Sequence, residues 1–315
     1  MRAIWLTAFG PPQVLVAGEA PDPAPGPGDV VIDVAFANIT FVETQFRATG
    51  RGPFAAEPPF IPGNGVGGVV AGLGAGVDPG LLGARVVAGT GGTGGYAVRA
   101  AAPFAELVAV PDAVALDDAV ALMADGRTAT LLLDAAAPRP GERVLIEAAA
   151  GGVGSLLVQL ANAAGATVVA AAGGARKVAL ARELGADIAV DYTRPGWADA
   201  AGPVDVVLDG VGGAIARSAF DLIVPGGRML SYGLASGAWA EIDAAVAAAR
   251  DVYLLPMTRP APEQARAATA RVLAQAAEGV VRPVIGQRVA LEHAAQAHAA
   301  IEARTTVGKT LLVVD

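Results

Sequence analysis

Residues Arg143–Gly154 read Arg-Val-Leu-Ile-Glu-Ala-Ala-Ala-Gly-Gly-Val-Gly. The apolar first half predicts a short strand, and Ser155–Ala164 predicts a helix directly after the glycine turn. Gly151 would let the backbone approach a phosphate closely, while Gly154 would let the helix pack tightly on the strand. Although Ala149 replaces the first glycine of the usual pattern, a second strand and helix follow the turn. The stretch therefore predicts a dinucleotide site on the helix N-terminus, with these candidate contacts: Ala150, Gly151, Gly152 and Val153.

The second strand of this region indicates which dinucleotide would bind. Thr167–Ala172 predicts that strand, and no acidic residue occurs between Glu147 and Glu183 to bond the ribose hydroxyls as in NAD sites. The strand is followed by Gly173, Gly174, Ala175, Arg176 and Lys177. An open glycine pair before two cations favours a 2′-phosphate and hence NADPH. Alternatively, Arg176 and Lys177 are solvated residues on the first turn of the next helix.

Composition excludes several other classes of protein. The net charge of −8 argues against a nucleic-acid surface, and the absence of cysteine excludes disulfides, thiolate zinc sites and a cysteine nucleophile. Alanine inflates the hydrophobic fraction of 54%, and no run approaches the roughly 18 apolar residues of a membrane span. The early Gly10-Pro11-Pro12 interrupts a signal-peptide pattern. We expect a cytoplasmic protein without nucleic-acid or membrane partners.

The pattern along the chain predicts two domains. Residues 1–118 are rich in glycine, proline and short β-like runs, which predicts a mostly β domain, and residues 259–315 are expected to return and complete it. Residues 119–258 alternate strand and helix, as in a doubly wound parallel sheet. The predicted strands of that region are Arg143–Ala148, Thr167–Ala172, Ile188–Val190, Val204–Asp209, Arg228–Tyr232 and Val252–Leu255. The predicted elements of the tail are Pro262–Glu278, Val281–Val289, Leu291–Arg304 and Thr310–Val314, a helix and a strand in alternation.

Several separated motifs resemble those of one family. They are Pro25–Val30, Thr40–Thr44, Ile61–Gly68, Gly126–Ala129, Ala148–Gly154, Asp209–Gly213, Ser231–Gly233 and Thr306–Lys309. Together they cover nearly the whole chain. On these motifs the chain resembles the medium-chain dehydrogenase/reductase superfamily, and specifically its zinc-free quinone oxidoreductase branch, which is zeta-crystallin-like.

The resemblance implies an α/β protein in which a GroES-like mostly β domain packs against a doubly wound Rossmann domain, with cofactor and substrate in the cleft. Zinc-dependent members use a cysteine and a Gly-His-Glu segment, but the corresponding loop here is Gly63-Asn64-Gly65. His293 and His298 lie five residues apart, about 140° around a helix of roughly 3.6 residues per turn. We therefore interpret them as polar residues on a partly exposed helix and predict no metal site.

Without a metal or cysteine, direct hydride transfer to an electron-poor acceptor is the chemistry that remains. The motif matches place Thr40, Glu43 and Thr128 near the nicotinamide. Glu43 would fix a water or relay a proton, unless it forms a structural ion pair with an arginine. Thr128, opening a helix, would bond the carboxamide or ribose, unless it is a helix-terminal hydroxyl without a ligand. The resemblance adds further candidate cofactor contacts: Tyr192, otherwise a core-edge aromatic, and Ser231, Tyr232, Gly233 and Lys309.

The function expected from these residues is NADPH-dependent, zinc-independent reduction of a quinone. Reduction of an enone or enoyl thioester is the alternative, since it shares the fold, cofactor and hydride step. A cofactor-binding protein without turnover is a third hypothesis. Relatives dimerise through the edge strands of two Rossmann sheets, and Val252–Leu255 is apolar enough to be such an edge. We therefore expect a homodimer.

Overall fold

The computed structural model describes residues 1–314. Its strands are β1 (Arg2–Leu6), β2 (Leu15–Glu19), β3 (Asp29–Ile39), β4 (Gly65–Leu73), β5 (Arg85–Gly89), β6 (Arg99–Pro103), β7 (Leu107–Ala109), β8 (Arg143–Glu147), β9 (Thr167–Ala172), β10 (Ile188–Asp191), β11 (Val204–Asp209), β12 (Ile223–Ser231), β13 (Tyr253–Leu255), β14 (Ile285–Ala290) and β15 (Lys309–Val313). Its α-helices are α1 (Phe41–Thr49), α2 (Leu116–Ala136), α3 (Gly152–Ala163), α4 (Ala175–Glu183), α5 (Trp197–Ala201), α6 (Gly213–Asp221), α7 (Ala244–Ala249), α8 (Pro262–Ala277) and α9 (Ala294–Glu302).

These elements form two compact units. The first contains residues 1–125 and 262–279 and the chain from Pro283 onward, and the second contains residues 126–261 and 280–282. The main crossings between the units fall after Asp125 and after Ala261, with a brief return to the second unit at residues 280–282. The sequence pattern placed the boundaries after residues 118 and 258. The domain assignment made from the sequence stays a prediction.

The first unit is mostly β. Its seven-stranded sheet has the order β14-β15-β3-β4-β5-β7, with β6 also paired to β3, and β1 and β2 form a separate antiparallel pair. Because β15 pairs with β3, the late strands β14 and β15 belong to the same sheet as β3–β7. Ile4, Ile32 and Val66 are among the residues of its buried core.

The second unit is a doubly wound parallel sheet of six strands in the order β10-β9-β8-β11-β12-β13. The order of the strands reverses between β8 and β11, and ligands of such sheets bind at this switch point, outside the carboxyl ends of the strands. Buried apolar strand residues such as Leu145, Val169 and Val207 form the core beneath those ends. The expected α/β fold class is confirmed.

Two local predictions were wrong. Val281 does not begin a strand, since β14 starts at Ile285. Thr128 does not open a helix either, because α2 begins at Leu116 and places Thr128 in its interior. Charged Asp117 and Asp118 stand in the first turn of α2, where the free amides of a helix favour negative charge. Within residues 1–314, none of the helices has the length and apolar character that crossing a membrane requires.

Candidate active site

The glycine turn after β8 exposes the start of a helix. Ala148 has a φ of 49°, and α3 begins at Gly152, earlier than the predicted Ser155. Its N-cap, Gly151, supplies no side chain to cap the first amides. A Cβ on Gly154 would overlap the carbonyl oxygen of Ala148, so only glycine allows this close approach of helix and strand. No side chain caps the first turn of α3. The amides of Gly152 and Val153 at this helix start are therefore suited to bind a phosphate.

The turn after β9 brings together five of the predicted contacts. Gly173 lies against Tyr192, whose ring carbon Cε2 is 3.1 Å from the place a Cβ on Gly173 would occupy. Gly174 has a φ of 89° and precedes α4, whose first turn carries Arg176 and Lys177. Arg176 is exposed and Lys177 is half-buried. The geometry puts two cations and an aromatic ring around an open glycine pair.

A carboxylate reaches this turn from the next strand, which the sequence argument missed. Asp191, the last residue of β10, accepts hydrogen bonds from the Gly174 amide at 2.9 Å and from the Thr193 hydroxyl at 2.6 Å. These hydrogen bonds, that of Thr193 first, lower the pKa of Asp191. No acidic residue follows β9 directly along the chain. However, β10 lies beside β9 in the sheet, so Asp191 at the end of β10 is brought next to the turn after β9. Its oxygen Oδ1 is committed to shaping the turn.

The loops after β11 and β12 lie at the same edge of the sheet. The place of a Cβ on Gly233 is 2.7 Å from the Gly210 carbonyl oxygen, so the two loops pack backbone to backbone. The Tyr232 hydroxyl reaches across β11 and donates to the backbone carbonyl of Glu147 at 3.4 Å. Ser231 is the last residue of β12. The structure therefore aligns Ser231, Tyr232 and Gly233 with the glycine turn, because parallel strands end at one edge.

Thr40 and Glu43 form a second cluster, in the first unit. Thr40 caps α1, and its hydroxyl and amide both donate to Glu43 Oε2 at 2.7 Å, while the Asn64 amide donates to Oε1 at 2.9 Å. This is a capping box, in which N-cap and third residue satisfy each other. Burial raises the pKa of Glu43, against the opposing effects of the Thr40 hydrogen bonds and the charge of Lys309. A half-exposed hydroxyl thus rests on a buried carboxyl that holds a proton more tightly than usual.

The alternative of an ion pair between Glu43 and an arginine was wrong. Within residues 1–314, the ion pairs of the structure leave Glu43 out, and the nearby Arg47 pairs with Glu302 instead. Arg47 also donates to the Gly10 carbonyl. Position along α1 explains the difference. Glu43 lies in the first turn beside its own N-cap, whereas Arg47 lies one turn later and contacts α9.

Tyr96 and His298 are buried behind Glu43, and the sequence argument missed both. His298 was expected on a partly exposed helix, but it is only 1% exposed, and its Nε2 lies 3.0 Å from the Tyr96 hydroxyl. Burial, assisted by the charge of Arg47, lowers the pKa of His298 from 6.5 to about 3. Burial and the neighbouring Glu43 raise the pKa of Tyr96. His293 is exposed, as expected, so the interpretation held for one histidine only.

Lys309 and Thr128 are the two remaining predicted contacts, and Lys309 is close enough to Glu43 for its charge to act on the pKa of that carboxyl. Lys309 is buried in the first unit and its Nζ lies 3.0 Å from Asp125 Oδ1, so its ammonium is engaged by a carboxylate. Thr128 is half-buried in the second unit. Their roles toward a cofactor stay predictions.

Two family models match parts of the chain, and relatives match nearly its whole length. The models describe an alcohol dehydrogenase GroES-like domain, over residues 26–112, and a zinc-binding dehydrogenase, over residues 184–312. A quinone oxidoreductase of Pseudomonas aeruginosa is 31% identical over 99% of both chains. The chain belongs to the quinone oxidoreductase branch of the medium-chain dehydrogenase/reductase superfamily.

Other quinone oxidoreductase relatives extend the comparison. A 2-haloacrylate reductase of Burkholderia sp is 34% identical over 72% of both chains. The structure of Escherichia coli quinone oxidoreductase complexed with NADPH has a TM-score of 0.89 and 27% identity, and covers 99% of this chain and 100% of its own. The expected family and the GroES-like first unit are confirmed.

The donor set of this family member differs from that of a zinc site. Among residues 1–314, no three histidine, cysteine, aspartate or glutamate side chains approach closely enough to share a metal ion. The sequence has no cysteine, and the buried His298 is engaged by Tyr96. Asn64 contributes its backbone amide to Glu43, so the loop at Gly63–Gly65 supports a carboxyl rather than offering imidazole.

Proposed function

We propose that this protein is an NADPH-dependent reductase that transfers a hydride to a quinone-like acceptor. The observation that carries the proposal is the carboxyl edge of the second unit's sheet. There an uncapped helix start, a glycine pair and two cations stand at and beside the switch point, where dinucleotides bind. The quinone oxidoreductase relatives and the NADPH complex of the Escherichia coli enzyme support it.

The residues fit NADPH. The amides of Gly152 and Val153, with Ala150 and Gly151 beside them, would hold the pyrophosphate. Arg176 and Lys177 would hold the 2′-phosphate over Gly173 and Gly174, with Tyr192 against the adenosine end. The nicotinamide supplies the hydride when bound. Ser231, Tyr232, Gly233, Thr128 and Lys309 are further proposed contacts.

Thr40 and Glu43 are proposed to supply the proton that completes the reduction. A quinone or enone that accepts a hydride becomes an oxyanion or enolate and needs one proton. In the structure the Thr40 hydroxyl donates to Glu43 Oε2 at 2.7 Å. In the reaction this hydrogen bond would be reversed, so that the acid form of Glu43 passes its proton to Thr40 Oγ1 while the Thr40 hydroxyl gives its own proton to the product anion. Glu43 is left as a carboxylate and regains its proton from solvent after product leaves. Exposed Phe41 and Val42 beside Thr40 suit an apolar acceptor.

A reductase of α,β-unsaturated carbonyl compounds is the second candidate function. The observation that favours it is the similarity to a 2-haloacrylate reductase, whose named substrate carries a carbon–carbon double bond next to a carboxyl. The same proton donor serves both reactions, since an enolate and a hydroquinone anion both require one proton.

We further propose zinc-independent catalysis, a cytoplasmic location and a homodimer. Zinc independence is supported by the lack of cysteine and by the commitment of His298 to Tyr96. The lack of cysteine also suits a reducing compartment. The dimer is supported by β13, an edge strand of the six-stranded sheet that exposes Tyr253 and Leu254.

The test is NADPH and NADH oxidation measured by stopped flow with a panel of quinones, enones and enoyl thioesters. We expect quinones to oxidise NADPH rapidly and NADH at most weakly. Faster turnover of enones than of every quinone would favour the second candidate. Tight NADPH binding without turnover of any acceptor would overturn the proposal in favour of a binding protein.

A further inference from the structure

Two buried carboxyl groups stand side by side at the switch point of the second unit. Glu147 is the last residue of β8 and Asp209 the last residue of β11. These strands are parallel neighbours, and Leu208 pairs with Ile146, so the two acidic residues follow in register. Both side chains are fully buried. The hydride chemistry and the phosphate contacts proposed above use neither of them.

The two carboxyl groups share the Val211 amide as a hydrogen-bond donor, and one oxygen of each group has no donor. The Val211 amide lies 2.9 Å from Asp209 Oδ1 and 3.3 Å from Glu147 Oε2, and the Gly212 amide donates to Asp209 Oδ1 at 2.7 Å. One oxygen of each group, Glu147 Oε1 and Asp209 Oδ2, is buried without a hydrogen-bond donor. Two ionised carboxylates this close and fully buried would repel each other and leave both oxygens unsatisfied.

One proton shared between the two carboxyl groups removes both the charge repulsion and the missing hydrogen bond. A carboxylic acid has an O–H donor that a carboxylate lacks, so a proton on Glu147 can be donated to Asp209. We propose that Glu147 is held as the neutral acid, that it donates a hydrogen bond to the Asp209 carboxylate, and that this pair positions the loop after β11 for the dinucleotide. The proposal rests on the proposed function for the identity of that ligand.

The surroundings of the pair favour this protonation state. Burial first, and then the charge of Asp209, raise the pKa of Glu147 well above its usual value of 4.5. Asp209 comes from β11 and Tyr232 from the loop after β12, and Tyr232 reaches only the Glu147 backbone. Among the described contacts of the Glu147 side chain, no lysine, arginine or histidine compensates a second negative charge.

The pair has a mechanical consequence because Asp209 shapes the loop beyond it. Its carboxylate accepts hydrogen bonds from the Val211 and Gly212 amides. Gly212 has a φ of 74°, and a Cβ there would overlap the Ala238 carbonyl oxygen. The next residue, Gly213, begins α6. Ionising Glu147 would place a second negative charge against Asp209 and pull this loop away from the glycine turn after β8. Glu147 and Asp209 are positioning residues, since they act through the loop.

The first experiment is infrared spectroscopy of the purified protein across pH. A carboxylic acid has a C=O stretch well separated from the carboxylate band. We expect wild type to show buried acid absorption at neutral pH, and we expect Glu147→Gln to remove the part of it that belongs to Glu147 and leave the part that belongs to Glu43. The matched control, Glu142→Gln, lies near the start of the same strand and carries a carboxyl that pairs with Arg228, so the band should remain. Absence of an acid band in wild type would overturn the proposal without any variant having to fold.

The second experiment measures the dissociation constant of NADPH by fluorescence titration at increasing pH. Glutamine donates to Asp209 as the acid does but does not ionise. We expect wild-type affinity to fall once Glu147 ionises, by about tenfold per pH unit at most, the limit for one group. Glu147→Gln should lack that fall. Identical profiles for both proteins would contradict the positioning role, whereas no NADPH binding at any pH would refute the proposed function and leave the infrared test of the shared proton standing.

Discussion

Lys177 is the residue on which the choice between NADPH and NADH depends most directly. It lies in the first turn of α4, half-buried, after the glycine pair. A charge-assisted hydrogen bond to the 2′-phosphate is worth about 1.5–3 kcal/mol, or roughly one to two decades in affinity. Lys177→Ala should weaken NADPH by that amount and leave NADH unchanged. The exposed Arg266 on α8 is the control, since Arg266→Ala removes a cation from the other unit. Equal affinities of the wild type for both cofactors would refute the assignment.

Glu43 is the residue that tests the source of the proton. Because burial raises its pKa, the acid form persists above the ordinary value of 4.5 and is lost as pH rises through the folded pKa. The turnover number should therefore fall with rising pH in wild type. Glu43→Gln keeps the capping box but holds no transferable proton, so it should turn over more slowly and lose that fall.

The control for this prediction is Glu302→Gln, which alters a carboxyl paired with Arg47 in the same unit. It should change stability without changing the pH dependence of turnover. If Glu43→Gln lowers only the free energy of unfolding and leaves turnover and its pH profile as in wild type, Glu43 is structural and the proton comes from elsewhere.

At the scale of the element, the glycine turn after β8 contains one glycine that the packing of helix and strand requires, Gly154, and one that is proposed to contact NADPH, Gly151. A Cβ on Gly154 would overlap the Ala148 carbonyl, which is backbone and cannot give way. Gly154→Ala should therefore destabilise the protein by about 1–3 kcal/mol or more. Gly151 has a φ of −82°, which alanine adopts readily, and a Cβ there would lie 3.2 Å from the Ala148 carbonyl oxygen, a tight contact that a shift of a few tenths of an ångström relieves. Gly151→Ala should therefore lose much less stability than Gly154→Ala and mainly weaken NADPH binding. Unfolding curves and NADPH titrations of both variants measure this contrast. Equal stability of the two variants would contradict it.

The elements that the sequence predicted correctly are those with a local signal. Thr167–Ala172 and Val204–Asp209 have the bounds that were predicted for them, because each has a mostly apolar core and is followed directly by a glycine. The prediction was wrong for residues in the interior of a helix, where the sequence carries no local signal of a helix end. The Gly126–Ala129 motif resembled a helix start, but glycine is tolerated inside the buried α2. Propensity is a weak guide where tertiary packing decides.

At the scale of the molecule, the groups that the sequence argument missed are those that distant segments bring together. His298 is 202 positions from Tyr96, Asp209 is 62 positions from Glu147, and both contacts are buried. Each lone residue had an ordinary interpretation. Only strand order and helix packing place the pairs side by side, and no spacing along the chain encodes them.

Metal independence is a property of the whole chain, since a site can draw ligands from any segment. The purified protein should contain no stoichiometric zinc, and a chelator should leave NADPH-dependent turnover unchanged. The physical reason is the donor set, which has no cysteine and one of its two histidines bonded to Tyr96. Elemental analysis that returns one zinc per chain, with activity lost on its removal, would overturn this expectation.

The edge strand of the six-stranded sheet leads to a prediction about the oligomeric state of the protein. Strand β13 ends the six-stranded sheet, and its Tyr253 is 59% exposed. An unpaired apolar edge tends to pair with another strand. We expect sedimentation to give the mass of two chains at micromolar concentration, and Tyr253→Lys to give one chain without loss of folding, because the side chain has little contact in the single chain. Val16→Lys, at a similarly exposed apolar position on β2, should leave the dimer intact. A wild-type mass of one chain would show that β13 is an edge the protein leaves unpaired.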